Sequence, residues 1–439
     1  MTRHVHVVGA GLAGLAAALR LSAEPGLAIT LWEATGRAGG RCWSFHDRTL
    51  DRVIDNGNHL MLSGNHAVLD YVRRIGSEHH LRIEDAALPF VDLATGADWT
   101  VRVPGGLGDV LRGRVGLPGS LVTLSRDLSR LLRAGPGATV AEAIGGRGTL
   151  WHGFWEPMCL AVLNEPAERG SARLLAAVIR RTVMRGAKAS RPVLAQGGLG
   201  PALVDPAVAA LKARGVRIVW RAALEGVKRD RDVLRRLRFS NGETAVLGQG
   251  DVVVAAGASA GARATGSTPP APGQTILNAH FRVGEAEAER FPPLLGLVSG
   301  AAHWIFRRGD VLSVTVSAAE AVGLSALSRD AALDRLFEDV ELSAGGGRIA
   351  CHARRLVRAP AATWDQSPAG VAARPSMRTG IANLVLAGDH VAGPLPSSIE
   401  AAIRSGDTAA REVLQPGGSF ASRAERSGAR SGRARPALH

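Results

Sequence analysis

Residues 4–33 read HVHVVGAGLAGLAAALRLSAEPGLAITLWE, and this stretch decides the fold. His4-Val5-His6-Val7-Val8 alternates and is β-branched, as a strand should be, and it runs into Gly9-Ala10-Gly11-Leu12-Ala13-Gly14, the glycine spacing of a dinucleotide-binding turn. Gly9 permits a tight turn, Gly11 lets backbone approach a pyrophosphate, and Gly14 lets the next helix lie against the sheet. That helix offers its first N–H groups and its dipole to phosphate. A second strand ends at Trp32. Glu33 follows, where an acidic side chain bonds a ribose hydroxyl. The cofactor-binding set expected here is Gly9, Ala10, Gly11, Leu12, Ala13, Gly14, Glu33 and Ala34.

Composition narrows the class. A chain of 439 residues, 46% hydrophobic and 21% charged, can bury the core of two or three domains. Its apolar runs are too short to span a bilayer, so no transmembrane helix is expected. Cys42, Cys159 and Cys351 are widely separated, with no metal-ligand spacing, which points to a reducing, cytoplasmic setting without a disulfide or a metal. The net charge of +14 rests on arginine, for only Lys188, Lys212 and Lys228 are lysines. No basic helix with interleaved aromatics stands out, so nucleic acid is not an expected partner. Residues 416–439 carry Arg423, Arg426, Arg430, Arg433 and Arg435 against Glu425 alone and read as a disordered basic tail that could also meet an anionic membrane surface.

Further along lies a second glycine-rich loop, 34–41, with Arg37, Gly39, Gly40 and Arg41. Glycines turn backbone amides toward an anion and arginine adds a planar donor fork. Residues 53–62 place Asp55, Asn58 and His59 in a polar turn between apolar runs. Residues 71–186 read as helical, with apolar clusters at 121–132 and 174–183, and residues 154–157 and 163–166 form a proline-bounded signature assigned to the junction with the nucleotide domain. A helix over 201–214 and strands at 215–220, from Val227, and at 251–257 come next, with a hairpin turn at Asn241-Gly242. Strands at 275–283, 302–306 and 311–316 and a helix near 330–338 form a substrate sheet. An apolar strand then ends in Gly388-Asp389, before a helix starting near Ile399.

The runs GGRCWSFHDRTLDRVIDNGNHLMLSGNH (39–66), WEPMCLAVLNEP (155–166) and NLVLAGDHVAGPLPSSIEAAIRSG (383–406) resemble the hydroxysqualene dehydroxylase branch of the flavin-containing amine oxidase and carotenoid desaturase superfamily. The resemblance covers nearly the whole chain to about residue 414. It implies an α/β fold, with a discontinuous Rossmann-like FAD-binding domain (1–70, 187–260, 375–415) and an α+β substrate domain (helical, lipid- or membrane-facing 71–186; sheet 261–374). It adds Gly39, Gly40, Arg41, Asn58, His59, Val227, Ala256, Gly257, Gly388, Asp389, Ile399, Glu400 and Ala402 to the FAD-binding set. Two departures stand out: His390 where a Trp is common, and Ala401 where Gly is more usual. The implied reaction removes the allylic hydroxyl of a C30 isoprenoid alcohol. It needs an acid, for which His59, Asp55, His390 and Asp365 are candidates, and a hydride from reduced flavin. With one complete GxGxxG unit, electrons are expected from NAD(P)H in transient contact or from a partner, and upstream prenyl synthases are natural partners. The other readings are a carotenoid-type desaturase, an amine oxidase, or an FAD-stabilised lipid-binding scaffold. The single Tyr of the chain rules out a tyrosine pair at the flavin. The expected location is cytoplasmic, with peripheral contact to the inner face of the cytoplasmic membrane.

Overall fold

The structure, a computed structural model, describes residues 2–106, 109 and 116–415. The basic tail lies outside the described residues. Strand Arg3–Val8 stands at the centre of a five-stranded parallel sheet, flanked by Leu27–Trp32 and then Arg217–Val219 on one side, and by Val252–Ala255 and then Leu384–Leu386 on the other. Val5, Val7 and all of Val252–Ala255 are fully buried, the pattern of parallel strands covered on both faces. The register sets Val8 beside Trp32 and Ala255, and Ala255 beside Leu386, so the carboxyl ends of four strands form one edge. Chain order reverses direction around Arg3–Val8, and the crevice outside such an edge is where open parallel sheets bind ligands.

Helix Leu12–Leu21 packs against helix Ile399–Leu414, and their contact requires glycine. A Cβ on Gly406 would stand 2.0 Å from the Ala13 carbonyl oxygen. A glycine inside a helix costs about 1 kcal/mol relative to alanine. Here it lets the first turn of helix Leu12–Leu21 lie directly against the middle of helix Ile399–Leu414. Asp407 locks the arrangement, its buried carboxylate accepting both Nη groups of Arg74 at 3.0 and 2.9 Å and Nε of Arg20 at 3.3 Å.

The second half is a seven-stranded sheet in the order Cys351–Ala359, Ile276–Val283, Val311–Val316, Trp304–Arg308, Leu294–Val298, Ala87–Asp92, Asp98–Arg102. Here the structure corrects the reading of 71–186 as helical. That segment contributes two strands to this sheet, joined antiparallel to each other and attached through a parallel pairing with Leu294–Val298, and a third, Leu81–Ile83, that pairs with Pro192–Ala195 elsewhere. Leu294–Val298 and Cys351–Ala359 are likewise additions to the expected strands. Gly296 exists for this junction, since a Cβ there would lie 2.4 Å from the Phe90 ring. One face of the sheet packs on helix Arg329–Ser343 through Leu277, Ala279, Phe281, Leu312, Val314 and Leu336. The opposite face meets the helical layer of Leu121–Arg133, Glu156–Leu163 and Ala172–Arg181 through Phe90, Trp304 and Phe306. The expected helix over 201–214 begins instead as a π-turn, Gly200–Val204, and becomes an α-helix at Asp205–Ala213.

Candidate functional site

At the crevice the first glycine loop has the geometry its spacing predicts. Gly9 has φ of +110°, which a side chain disfavours, and a Cβ on Gly14 would stand 1.8 Å from the Gly9 carbonyl oxygen. A Cβ on Gly11 would meet nothing within 4 Å, so the space in front of it is open. Gly11 is also the N-cap of helix Leu12–Leu21 without any side-chain cap, leaving the N–H groups of the first turn to a ligand. Ala10 and Leu12–Ala13 form the buried floor. The second glycine loop touches the first directly: Gly39 N–H bonds Ala10 O at 2.9 Å, and a Cβ on Gly40 would lie 3.3 Å from Gly11 Cα. Arg37 does not reach out from this loop. It lies over the Trp43 ring at 3.9 Å and donates to Gly40 O, closing its own turn.

Glu33 is 7% exposed and accepts Ala10 N–H on one oxygen, Thr35 N–H and Thr35 O–H on the other, each at 2.8 Å. A carboxylate offers about four acceptor positions. Three are filled by protein, and the fourth remains for a ribose hydroxyl. Ala34 continues this exposed turn. Opposite, Ala256 N–H bonds Val8 O, and Gly257 is another uncapped helix N-cap with open space at its Cβ position. Val227 packs beside the cluster containing Trp32 and Phe239, whose rings stack at 3.9 Å.

At the other end of the crevice, Gly388 has φ of +134°, and Asp389 is 6% exposed. Asp389 Oδ1 accepts Arg41 Nη2 at 2.5 Å and Trp364 Nε1 at 3.1 Å, while Oδ2 accepts no bond from a described residue. Burial pushes this carboxyl up, but the Arg41 guanidinium and its hydrogen bond outweigh that and hold it below the usual range. It is therefore an ionised acceptor with an unspent oxygen, as a polyol such as a ribityl chain requires. In helix Ile399–Leu414, Ser398 Oγ caps Ala401 N–H, which leaves the Ile399 and Glu400 amides at the free end. Ala402 N–H is spent within the helix on Ser398 O. The Glu400 side chain does something else: it accepts Ala67 and Val68 N–H at 3.2 and 3.0 Å, capping helix His66–Ile75 across the interface. An open glycine, two uncapped helix starts, an unspent position on Glu33 and a free Asp389 oxygen fit an FAD held from both ends.

The candidate acids separate. Asp55 is fully buried. Its Oδ1 accepts Ser44 O–H at 2.5 Å and Leu199 N–H at 2.9 Å, and Oδ2 pairs with Arg308 at 2.5 Å. So bound, it is a structural acceptor joining three segments, and it is not placed to give a proton. Asp365 accepts Ser367 N–H and forms a turn before the short helix Pro368–Ala372. His390 is buried against Gly388 and Trp364, in the nucleotide half, and burial, opposed by Asp389, pushes it down to about 4. His59 is half-buried, and no described residue bonds its ring. Burial lowers it, Asp55 works against that, and Arg41 and Arg308 reinforce it.

Beside His59 runs a polar chain that the sequence reading missed. Asn58 Nδ2 donates to Thr315 Oγ1 at 3.0 Å, and Thr315 Oγ1 donates to Asn278 Oδ1 at 2.9 Å, which also accepts Asn58 N–H at 3.3 Å. His280 follows, Nδ1 at 2.7 Å from Ser313 Oγ. All lie on the sheet face that also carries Trp304 and Phe306, so a polar patch borders an aromatic wall. The signal was legible in part: Asn278, His280 and Arg282 alternate with Leu277, Ala279 and Phe281, one polar and one apolar face on a single strand. The proline-bounded signature is also re-assigned. Asn164, at φ of +54°, donates to Gln274 O and Thr363 Oγ1 and accepts Ala318 N–H at 2.7 Å, so it fastens the helical layer to the substrate sheet instead of to the nucleotide domain.

Comparison with known proteins identifies the family and the fold. The family described as flavin containing amine oxidoreductase matches residues 12–414. The chain is 38% identical to the hydroxysqualene dehydroxylase of Rhodopseudomonas palustris, over 95% of this chain and 100% of that one. It is 37% identical to the enzyme of the same name from Sinorhizobium fredii, over 94% and 99%. Among solved structures, cyclohexylamine oxidase from Brevibacterium oxydans superposes with a TM-score of 0.68 at 14% identity, covering 94% of this chain and 99% of that one, a likeness of fold.

Proposed function

The chain belongs to the family of flavin-containing amine oxidoreductases and is an FAD-dependent oxidoreductase, and from that premise we propose that it reductively removes the hydroxyl of hydroxysqualene to give squalene. The observation that carries this reading is the near-full-length relationship to two hydroxysqualene dehydroxylases. On the sheet beside His59 a polar patch borders the aromatic cluster of Phe90, Trp304 and Phe306, which is buried under the helical layer, and a substrate with a single oxygen suits such a setting. The reaction breaks one C–O bond, forms one C–H bond and consumes a hydride and a proton, with water leaving. Reduced flavin supplies the hydride when bound. His59 supports the role of proton donor to the departing oxygen, because it alone among the candidate acids has an unbonded ring on that face. The apolar helical layer keeps bulk water from recapturing an allylic cation. NAD(P)H, in transient contact or through a partner, is the reductant in this reading.

The amine-oxidising alternative lacks a tyrosine pair for an aromatic cage, since the only tyrosine, Tyr71, is fully buried with its hydroxyl donating to Leu203 O at 2.8 Å. The same reading puts the helical layer on an anionic membrane. No helix among the described residues is long and apolar enough to cross one. Leu121, Val122 and Met184 are nevertheless 43%, 80% and 51% exposed, and Arg126, Arg173, Arg180 and Arg185 on the same segments are exposed too. The test is anaerobic: reduced flavoprotein mixed with hydroxysqualene should reoxidise as squalene forms. Flavin that stays reduced with no squalene overturns the reading.

A further inference from the structure

Gly57 is a glycine without a backbone reason. It has no positive φ, so any residue could adopt its conformation. A methyl group placed there would find only Asn278 Nδ2 at 3.5 Å and His59 Nε2 at 3.9 Å, both at ordinary contact distance, and nothing else within 4 Å. The glycine therefore leaves a niche open beside a carboxamide and an imidazole.

The polar chain on the sheet face sets what this niche presents. Thr315 has one hydroxyl proton. It accepts from Asn58 Nδ2 and so donates to Asn278 Oδ1, which also takes Asn58 N–H. Asn278 Oδ1 is thus committed and its Nδ2 must face Gly57. Asn278 is fully buried, yet Nδ2 has no partner, and neither has Asn58 Oδ1. An unpaired buried polar group of this kind is destabilising and calls for an explanation such as a bound ligand. Burial first, then Arg41 and Arg308 against the opposing Asp55, lower the His59 pKa, so the imidazole beside the niche favours its neutral form. A neutral oxygen suits it: one lone pair can accept from the carboxamide while the imidazole donates to another or accepts its proton.

We propose that the niche beside Gly57, between Asn278 and His59, seats the hydroxyl oxygen of the substrate alcohol, with Asn278 the residue that distinguishes the alcohol from its hydrocarbon product. The proposal rests on the dehydroxylase reading. A site built to hydrogen-bond a hydroxyl discriminates strongly against an analogue lacking it, because its own donors are then left unpaired. Asn278 holds the oxygen next to His59 and favours release of the product once the oxygen is gone.

The experiment measures equilibrium binding of hydroxysqualene and of squalene to the oxidised FAD-loaded enzyme, where no turnover occurs, together with FAD affinity and melting temperature. The wild-type protein should prefer the alcohol by about tenfold or more, the worth of a buried hydrogen bond. Gly57→Ala fills the niche and should bring that preference close to one, with squalene affinity, FAD affinity and melting temperature unchanged. Asn278→Leu removes hydrogen bonding at nearly the same size and should also abolish the preference, which keeps the test alive should Gly57→Ala fold poorly. A folded Gly57→Ala or Asn278→Leu protein that keeps the wild-type preference overturns the proposal. So does a Gly57→Ala protein whose FAD affinity or flavin spectrum changes while the preference persists, since the flavin edge would then be the occupant. If the wild-type enzyme neither binds nor reduces hydroxysqualene, the dehydroxylase reading fails with it, whereas normal turnover with an unchanged preference defeats the niche alone.

Discussion

The nucleotide crevice and the sheet face beside His59 are built from different materials. The nucleotide end is largely backbone: glycines that let chain segments approach to contact, and helix starts whose amides are left uncapped. The substrate end is largely side chains: Asn58 from one loop, Asn278 and His280 from one strand, Ser313 and Thr315 from another, and Arg308 with Asp55 beneath. A backbone site has no slack, because a single added carbon meets main chain that cannot rotate away. A side-chain site should fail in steps, one bond at a time.

The sharpest way to break this contrast is a methyl group in the glycine loop. Gly14→Ala puts a carbon 1.8 Å from the Gly9 oxygen, well beyond the ~1–3 kcal/mol of ordinary overpacking. The variant should be colourless or insoluble, and a yellow protein with normal FAD affinity would refute the backbone account. Next in size is the response to acid, which loads both ends. Burial pushes His6 and His390 in the nucleotide half and His280 on the substrate face down to about 4. Their support is whole above the unfolded value near 6.5 and is lost as pH falls toward 4, at most about 3 kcal/mol for each group. Urea midpoints measured from pH 7 to pH 4.5 should fall steadily, and His280→Gln combined with His390→Gln should flatten the curve.

Smaller effects separate the ends further. Asn164→Ala removes three bonds between the helical layer and the sheet and should cost about 3 kcal/mol in denaturant unfolding. Asn164→Gly keeps the left-handed backbone and should cost nearly as much, unless the conformation rather than the carboxamide is what matters. Asp389→Asn weakens the hold on Arg41 and removes the charge expected at the ribityl chain, and FAD titration should show a loss of about 2 kcal/mol, roughly thirtyfold. Val122→Glu with Met184→Glu should leave FAD affinity alone and lower partition onto anionic vesicles by about 1 kcal/mol or more. Unchanged partition would remove the helical layer from the membrane contact.

Legibility in the sequence followed the same division. The glycine loops, Glu33 and the Gly388-Asp389 terminus could be read in place, since each works through neighbours a few residues away. Glu400 shows the limit. Its position at a helix start was readable, but the direction of its side chain, toward Ala67 and Val68, depends on how two helices pack. Asp55 shows the same limit, for a carboxylate that looked available proves to be bonded by Ser44, Leu199 and Arg308.

What the sequence by itself determined is the parallel nucleotide fold and the backbone cradle at its edge, because turns, helix starts and glycine contacts are set by local chain geometry. Only the tertiary structure decided the substrate end. Strand register brought Asn278 beside Thr315 and His280 beside Ser313, and a one-residue slip would have turned each to the opposite face. That register is fixed by burial of Leu277, Ala279 and Phe281 against helix Arg329–Ser343, a condition spread over the whole domain and written in no single motif.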